Sequence, residues 1–194
     1  MSVTAVIITW KRQENIPLII EDLLKYQFIS EIIIRDNSKC KNIKCYARYT
    51  MAKKAKNNII YTQDDDCIVP NLAGIYDKFM EDSSKVAYSG VEGYEEKIKD
   101  VTFGEQQIAM MGWGAIFSRD MIGVLNKYIK AYGKDETFYR EADRIFTLLQ
   151  NQHHNFVSGG INHLKGKDDD NAMCQQSDHI SSRNLAIERC LKIK

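Results

Sequence analysis

Residues 3 to 9 read VTAVIIT, an unbroken apolar run rich in β-branched side chains, and it constrains the fold more than any other segment. A strand with one wet face alternates apolar and polar residues; a strand without alternation is covered on both faces. Helices must then flank the sheet it enters. The chain continues in that pattern. Between Asn15 and Tyr26, Ile16, Ile19, Ile20, Leu23 and Leu24 recur at helical spacing, with Pro17 in the first turn, where a missing N–H is tolerated. EIIIRDNS reads as a second buried strand, residues 43 to 56 as a second helix, and NIIYTQ as a third strand. Strands alternating with helices predict an α/β fold with a mostly parallel central sheet, right-handed crossovers and ligands beyond the carboxyl ends of the strands.

Three polar clusters follow these strands: TWKR (residues 9 to 12), RDNS (35 to 38) and QDDD (63 to 66). The topology therefore gathers them along one edge. Farther on, Leu72 to Met80 reads as a helix, VAYSGVEGY as a strand and turn, and AMMGWGAIF as a strand broken by glycine. Helices are expected over Met121 to Ala131 and Tyr139 to Gln150, a short strand in HHNFVSGGINHL, and a C-terminal helix over Ser181 to Lys192.

At 194 residues and 44% hydrophobic, the chain suits a single domain, divided into a nucleotide-binding half (about 1 to 70) and an acceptor or catalytic half (about 71 to 194). Its net charge of +1 gives no strong nucleic-acid signal. No stretch approaches the roughly 20 apolar residues of a membrane span, and MSVTAVIITWKRQ lacks the features of a secretion signal, so a cytoplasmic location is expected, the host cytoplasm if the source is viral. The cysteines Cys40, Cys45, Cys67, Cys174 and Cys190 are odd in number and irregularly spaced, as reduced thiols are. Cys40 and Cys45 are spaced too widely, without a second pair, for an ordinary zinc site.

Like charges at the mouth of a strand repel, so Asp64, Asp65 and Asp66 imply a compensating cation. Their hard oxygens suit Mn²⁺ or Mg²⁺, which could hold a diphosphate. A second acidic run, Asp168 to Asp170, follows no strand and reads as a solvated loop.

A strand ending in T-W-x-R, a second ending in Asp-Asn, an Arg-bearing helix and a strand running into Asp-Asp-Asp resemble the nucleotide-sugar glycosyltransferases of the GT-A fold, nearest to the exostosin-like domain. GAIF, EADRIFTLL and SDHISSR fall in order where that family has a Gly-Ala-aromatic segment, an acidic pair opening a helix, and a His-bearing segment. The resemblance implies a single-domain GT-A (Rossmann-like) fold and a UDP-sugar donor. It implies Thr9 and Arg12 on the nucleotide, Asp36 or Asn37 reading uracil or ribose, and Arg48 on the diphosphate or nucleotide. Asp64 and Asp65 would face the donor, Asp66 and Asp64 would bind the metal, and His179 would ligate the metal or donate to the diphosphate.

Asp143, with Glu141 two residues before it, stands where a carboxylate could deprotonate the acceptor hydroxyl or stabilise an oxocarbenium-like state. A helix N-terminus would favour its ionised form. A base there implies inversion, whereas the exostosin-like resemblance implies retention. Arg183 shares a helix face with His179, although the family places its Arg directly after the His and this chain has Ile180. His163 is a rival to His179; His153 and His154, between polar residues, are expected to be exposed. Trp113, beside Gly114, offers an aromatic face for a sugar ring.

The acceptor is expected on a glycan or glycoprotein, and the chain suits a bacterial, phage or large-DNA-virus enzyme, or one domain of a longer multidomain protein. Two alternatives compete: a nucleotidyltransferase acting on a sugar phosphate, for which TWKRQENIP lacks the expected Gly-rich loop, and a non-catalytic nucleotide- or sugar-binding module.

Overall fold

The computed structural model describes residues 1 to 90, 108 to 166 and 176 to 193. The VEGY end of the expected strand and turn, Cys174 and the Asp168 to Asp170 run lie outside them. In order along the chain come β1 (Val3–Thr9), α1 (Ile16–Leu23), β2 (Ile29–Asp36), α2 (Tyr46–Ala52), β3 (Ile59–Asp64), β4 (Cys67–Ile68), α3 (Leu72–Glu81) and β5 (Ala87–Gly90). Then follow β6 (Ala115–Ser118), α4 (Leu125–Tyr132), α5 (Glu136–Gln150), β7 (Asn155–Ser158), β8 (Asn162–His163) and α6 (His179–Ile193).

The main sheet has the order β2-β1-β3-β6-β5-β7, and β4 pairs with β8 in a separate two-stranded sheet. In the main sheet β6 alone runs against its neighbours. This is the mostly parallel sheet flanked by helices that the alternating pattern predicts, and it has the GT-A architecture. β1 is buried nearly throughout, and successive residues feed opposite faces as the pleat requires. Val6 belongs to the core cluster shared with α2, α4, α5 and α6, whereas Val3, Ala5 and Ile7 belong to the one shared with α1 and α3.

Three expectations need correction. β2 is half-buried rather than buried, because it forms the edge of the sheet, paired on one side by β1. The Gly-broken strand is a 3-10 turn at Met111–Trp113 followed by β6. HHNFVSGGINHL supplies two strands, β7 and β8, in different sheets. The free thiols include Cys40, Cys45, Cys67 and Cys190. Among the described residues no helix is long and apolar enough to cross a membrane.

Register decides what the sheet presents. Thr9 lies opposite Asp36, and Ile8 opposite both Arg35 and Asp64, so the three polar clusters share one edge.

Candidate active site

The three aspartates do different work, because β3 ends at Asp64 and the chain turns at Asp65 and Asp66, which aims their side chains apart. Asp65 turns inward and is almost fully buried. Its carboxylate accepts from the Trp10 backbone N–H at 2.8 Å and from Arg12 Nη1 at 2.9 Å. The Asn15 amide donates to the Asp65 carbonyl at 2.9 Å and to the Lys165 carbonyl at 2.8 Å. Asp65 thus fastens the TWKR loop to β3. Asp64 is left on the open side, and Asp66 is only partly buried. The Asp64 side chain is 43% exposed. Asp66 lies 3.4 Å from Arg12 Nη1, and its carboxyl is pushed up to about 7, first by burial and then by the charge of Asp64.

Arg48 joins this edge to α5. Its guanidinium is buried, donating to Asp64 Oδ1 at 2.7 Å, to the Thr62 hydroxyl at 2.9 Å and to the Met111 carbonyl at 3.3 Å. Arg48 Nε lies 3.0 Å from Asp143 Oδ1 in an ion pair. The same Asp143 oxygen accepts from the Tyr49 hydroxyl at 2.9 Å. Cys45, just before α2, also hydrogen-bonds Asp143 through its side chain. Burial raises the Asp143 carboxyl above its ordinary range, and Arg48 opposes that rise. Asp143 lies mid-way along α5 as a whole, but the helix is kinked at Glu141 (φ −103°, ψ 18°), so Asp143 occupies the first turn of the second segment. Helix-terminal N–H groups there favour its anion.

At the kink, Glu141 is buried beside Arg144, 3.7 Å away, and its charge is also influenced by Arg183 and Arg140. Arg140 donates to the exposed Asp178 at 2.7 Å. His179 opens α6 among the same arginines and is pushed down to about 4, by burial first and then by Arg183, Arg140 and Arg144. Its strongest charged neighbours are therefore arginines and Asp178, not the β3 aspartates.

The remaining site residues line the β1 and β2 ends or the β6 entry. The Thr9 hydroxyl lies beside Asp65. Asp36 accepts from the Ser38 hydroxyl, the Gln13 amide and the Ser38 backbone N–H, which hold its carboxyl below the usual range. Asn37 is buried, accepting from Arg35 Nε at 2.9 Å. Trp113 meets His163 edge-on, ring centroids 6.2 Å apart. Gly114 is buried against Val69. His153 is exposed, but His154 is 3% exposed: one ring nitrogen lies 3.2 Å from the Thr147 carbonyl, which anchors it in the interior.

Tyr49, Cys45, Arg140 and Arg144 were missed in the sequence. Tyr49 carried one usable signal, its place next to Arg48 on a predicted helix. The arginines of α5 could be mistaken for solvent-facing charges in an amphipathic pattern.

The donor set fits a divalent cation. With all four carboxylates ionised (Asp64, Asp65, Asp66, Asp143) against two guanidinium groups (Arg12, Arg48), the formal balance is two negative charges, and the upward shift of Asp66 reflects that crowding. Asp64 and Asp66 offer open oxygens of the kind Mn²⁺ or Mg²⁺ takes. Among the described residues, three or more His, Cys, Asp or Glu do not assemble into a fuller metal site.

No protein-family model matches the sequence, and no curated protein does. Solved structures match the fold. Glucosyl-3-phosphoglycerate synthase from Mycobacterium tuberculosis, in complex with Mg²⁺ and uridine diphosphate, superposes with a TM-score of 0.57 at 12% identity over 97% of this chain and 79% of that one. Mannosyl-3-phosphoglycerate synthase from Rubrobacter xylanophilus gives 0.62 at 11% identity, covering 99% and 74%. A mannosyltransferase from Pyrobaculum calidifontis, in complex with GDP-mannose and Mn²⁺, gives 0.59 at 11%, covering 96% and 64%.

Proposed function

We propose that this GT-A chain is a metal-dependent glycosyltransferase, moving a sugar from a nucleoside-diphosphate sugar, UDP-linked by the sequence resemblance, to an acceptor hydroxyl on a glycan or glycoprotein. The observation that carries this is the Asp64 and Asp66 pair, less buried than Asp65, which is tied inward, with Asp64 linked through Arg48 to Asp143. Two of the structures named above hold UDP or GDP-mannose with a divalent cation, which supports the same class.

Asp64 and Asp66 would hold Mn²⁺ or Mg²⁺, which supplies positive charge to a departing diphosphate. Thr9, Arg12, Asp36 and Asn37, along the ends of β1 and β2, form the nucleotide side, and Trp113 offers its ring to a sugar. Arg48 acts from behind, holding Asp64 and Asp143 in fixed relation. Asp143 takes the proton of the attacking acceptor hydroxyl as the oxygen bonds to the anomeric carbon, a single displacement that inverts configuration. Pinned through Oδ1, it needs no reorganisation to do so.

The test is a donor screen with Mn²⁺ and a panel of nucleotide sugars, following binding and slow hydrolysis. Saturable binding of one sugar nucleotide, lost with chelator or in Asp66→Ala, is expected. Tight binding of a nucleoside triphosphate with release of pyrophosphate would make the protein a nucleotidyltransferase instead. Turnover unchanged in Asp143→Asn would remove that carboxylate from the mechanism.

A further inference from the structure

Among the described residues, β2 pairs on one side only, with β1. The unpaired N–H and C=O groups of such an edge recruit other strands, and edges are ordinarily blunted by brevity, proline, lysine or a bulge. At the opposite edge β7 is four residues long. β2 has eight, ISEIIIRD, with neither proline nor lysine. Its register irregularity falls between Ile29 and Glu31, ahead of the three isoleucines. Ile34 is 40% exposed.

The backbone phase of this edge follows from its last bonds. The N–H and C=O of one strand residue point the same way, and successive residues alternate. The Asn37 N–H donates to the Thr9 carbonyl, so Arg35, Ile33 and Glu31 also turn their backbone groups toward β1. Ile32 and Ile34 turn theirs outward. The Asp36 carbonyl points outward as well, and it is already met by the Lys39 N–H and the Cys40 thiol.

A second copy of the chain fits this edge in one register. Antiparallel pairing about a two-fold axis sets outward residues against outward and inward against inward, so the axis must pass through a residue. On Ile32 or on Ile34, it would set Glu31 or Arg35 against isoleucine. On Ile33, it sets Glu31 of each copy against Arg35 of the other, while Ile32 and Ile34 exchange backbone hydrogen bonds with the partner's Ile34 and Ile32. Both charged groups keep an atom for this. Glu31 uses Oε2 for the Thr4 hydroxyl and the Lys56 N–H, and Arg35 uses Nε and Nη2 for Asn37 and the Lys41 carbonyl. Among the described residues that leaves Glu31 Oε1 and Arg35 Nη1. An exposed ion pair adds little affinity, but like charges directly opposite would oppose pairing, so the charges select the register.

We propose that β2 is a dimerisation edge: two copies join antiparallel across Ile33, uniting their six-stranded sheets into one, with Glu31 and Arg35 paired reciprocally. The two-fold sends the Asp36 ends of the strands in opposite directions, so the two sites open on opposite edges and neither covers the other. This inference stands apart from the transferase assignment.

Sedimentation velocity of the whole chain between about 1 and 100 µM tests it, a range suited to a small interface. A monomer–dimer equilibrium is expected. Ile34→Lys, a change at an exposed side chain, should weaken it by about tenfold or more. Ile33→Cys should form a covalent dimer on mild oxidation, because two residues on the axis lie within disulfide reach. Ile34→Cys faces the partner's Ile32 rather than itself and should not exceed the wild-type background set by exposed Cys40. A monomer at every concentration, a dimer unaffected by Ile34→Lys, or growth into particles larger than a dimer would each overturn the inference. Cross-linking through Ile34→Cys but not through Ile33→Cys would overturn the register and with it the Glu31–Arg35 pairing.

Discussion

At the scale of single residues, two neighbouring glycines separate stability from ligand binding. A Cβ on Gly114 would lie 2.8 Å and 2.9 Å from the Val69 methyls, on a backbone at φ +95° that side chains resist. A Cβ on Gly112 would instead lie 2.1 Å from Asp64 Oδ2, on a half-exposed side chain whose other oxygen pairs with Arg48. Gly114→Ala should therefore lose about 2–4 kcal/mol of stability in urea unfolding, from overpacking plus an unfavourable backbone conformation. Gly112→Ala should lose less stability than Gly114→Ala, since the clash is with a side chain at normal backbone geometry rather than with core methyls at a positive φ, although shifting Asp64 also strains its pair with Arg48. It must however move Asp64, and Mn²⁺ affinity should fall by about tenfold in a direct binding titration. Mn²⁺ binding unchanged in Gly112→Ala would mean that Asp64 does not face the ion. MMGWGAIF shows two glycines, but only the fold reveals that one guards a core methyl and the other a carboxylate.

At the scale of elements, α2 is the clamp of the site. Cys45 just before it, with Arg48 and Tyr49 three and four residues on, share one helical face, and all three reach Asp143 on α5. Helical spacing predicted α2 and α5, and the β-branched runs predicted the parallel core strands. Which helix would pack on which could not be read, because Tyr49 and Asp143 stand 94 positions apart. For the same reason β2, apolar enough to pass for a central strand, is an edge. The clamp predicts a double-mutant result. Arg48→Met strands two carboxylates near the interior and should cost about 3–5 kcal/mol in urea unfolding, as removing one partner of a buried pair does. Adding Asp143→Leu should return at least about 1 kcal/mol relative to the sum of the single changes, since the two residues touch. Strict additivity would show that Arg48 and Asp143 do not depend on each other for stability.

Across the whole molecule, the site opposes the fold electrostatically, and pH exposes the conflict. Asp66 shifts from an ordinary 3.8 up to about 7, so between those values the folded chain binds more protons than the unfolded one. Its stabilising contribution is complete at low pH and is lost as pH rises through about 7. Asp65, Glu141 and Asp143 are raised chiefly by burial and act in the same direction. His179 opposes them: moved from 6.5 down to about 4, it is neutral in the fold where the unfolded chain would be charged, so its contribution is lost as pH falls through that window. Asp36, Asp82, Asp178 and Glu188 are shifted downward by hydrogen bonds, so they matter only near the acid end. Four groups against one predict that the metal-free protein unfolds at lower urea at pH 7.5 than at pH 5. Asp66→Asn should flatten that slope and His179→Gln should steepen it. Saturating Mn²⁺ at pH 7.5 should restore the lost stability, by about 3 kcal/mol at a hundredfold excess over its dissociation constant. Stability that climbs steadily from pH 5 to 7.5 without metal would mean the β3 carboxylates are not crowded against the fold, and the electrostatic case for a cation between them would go with it.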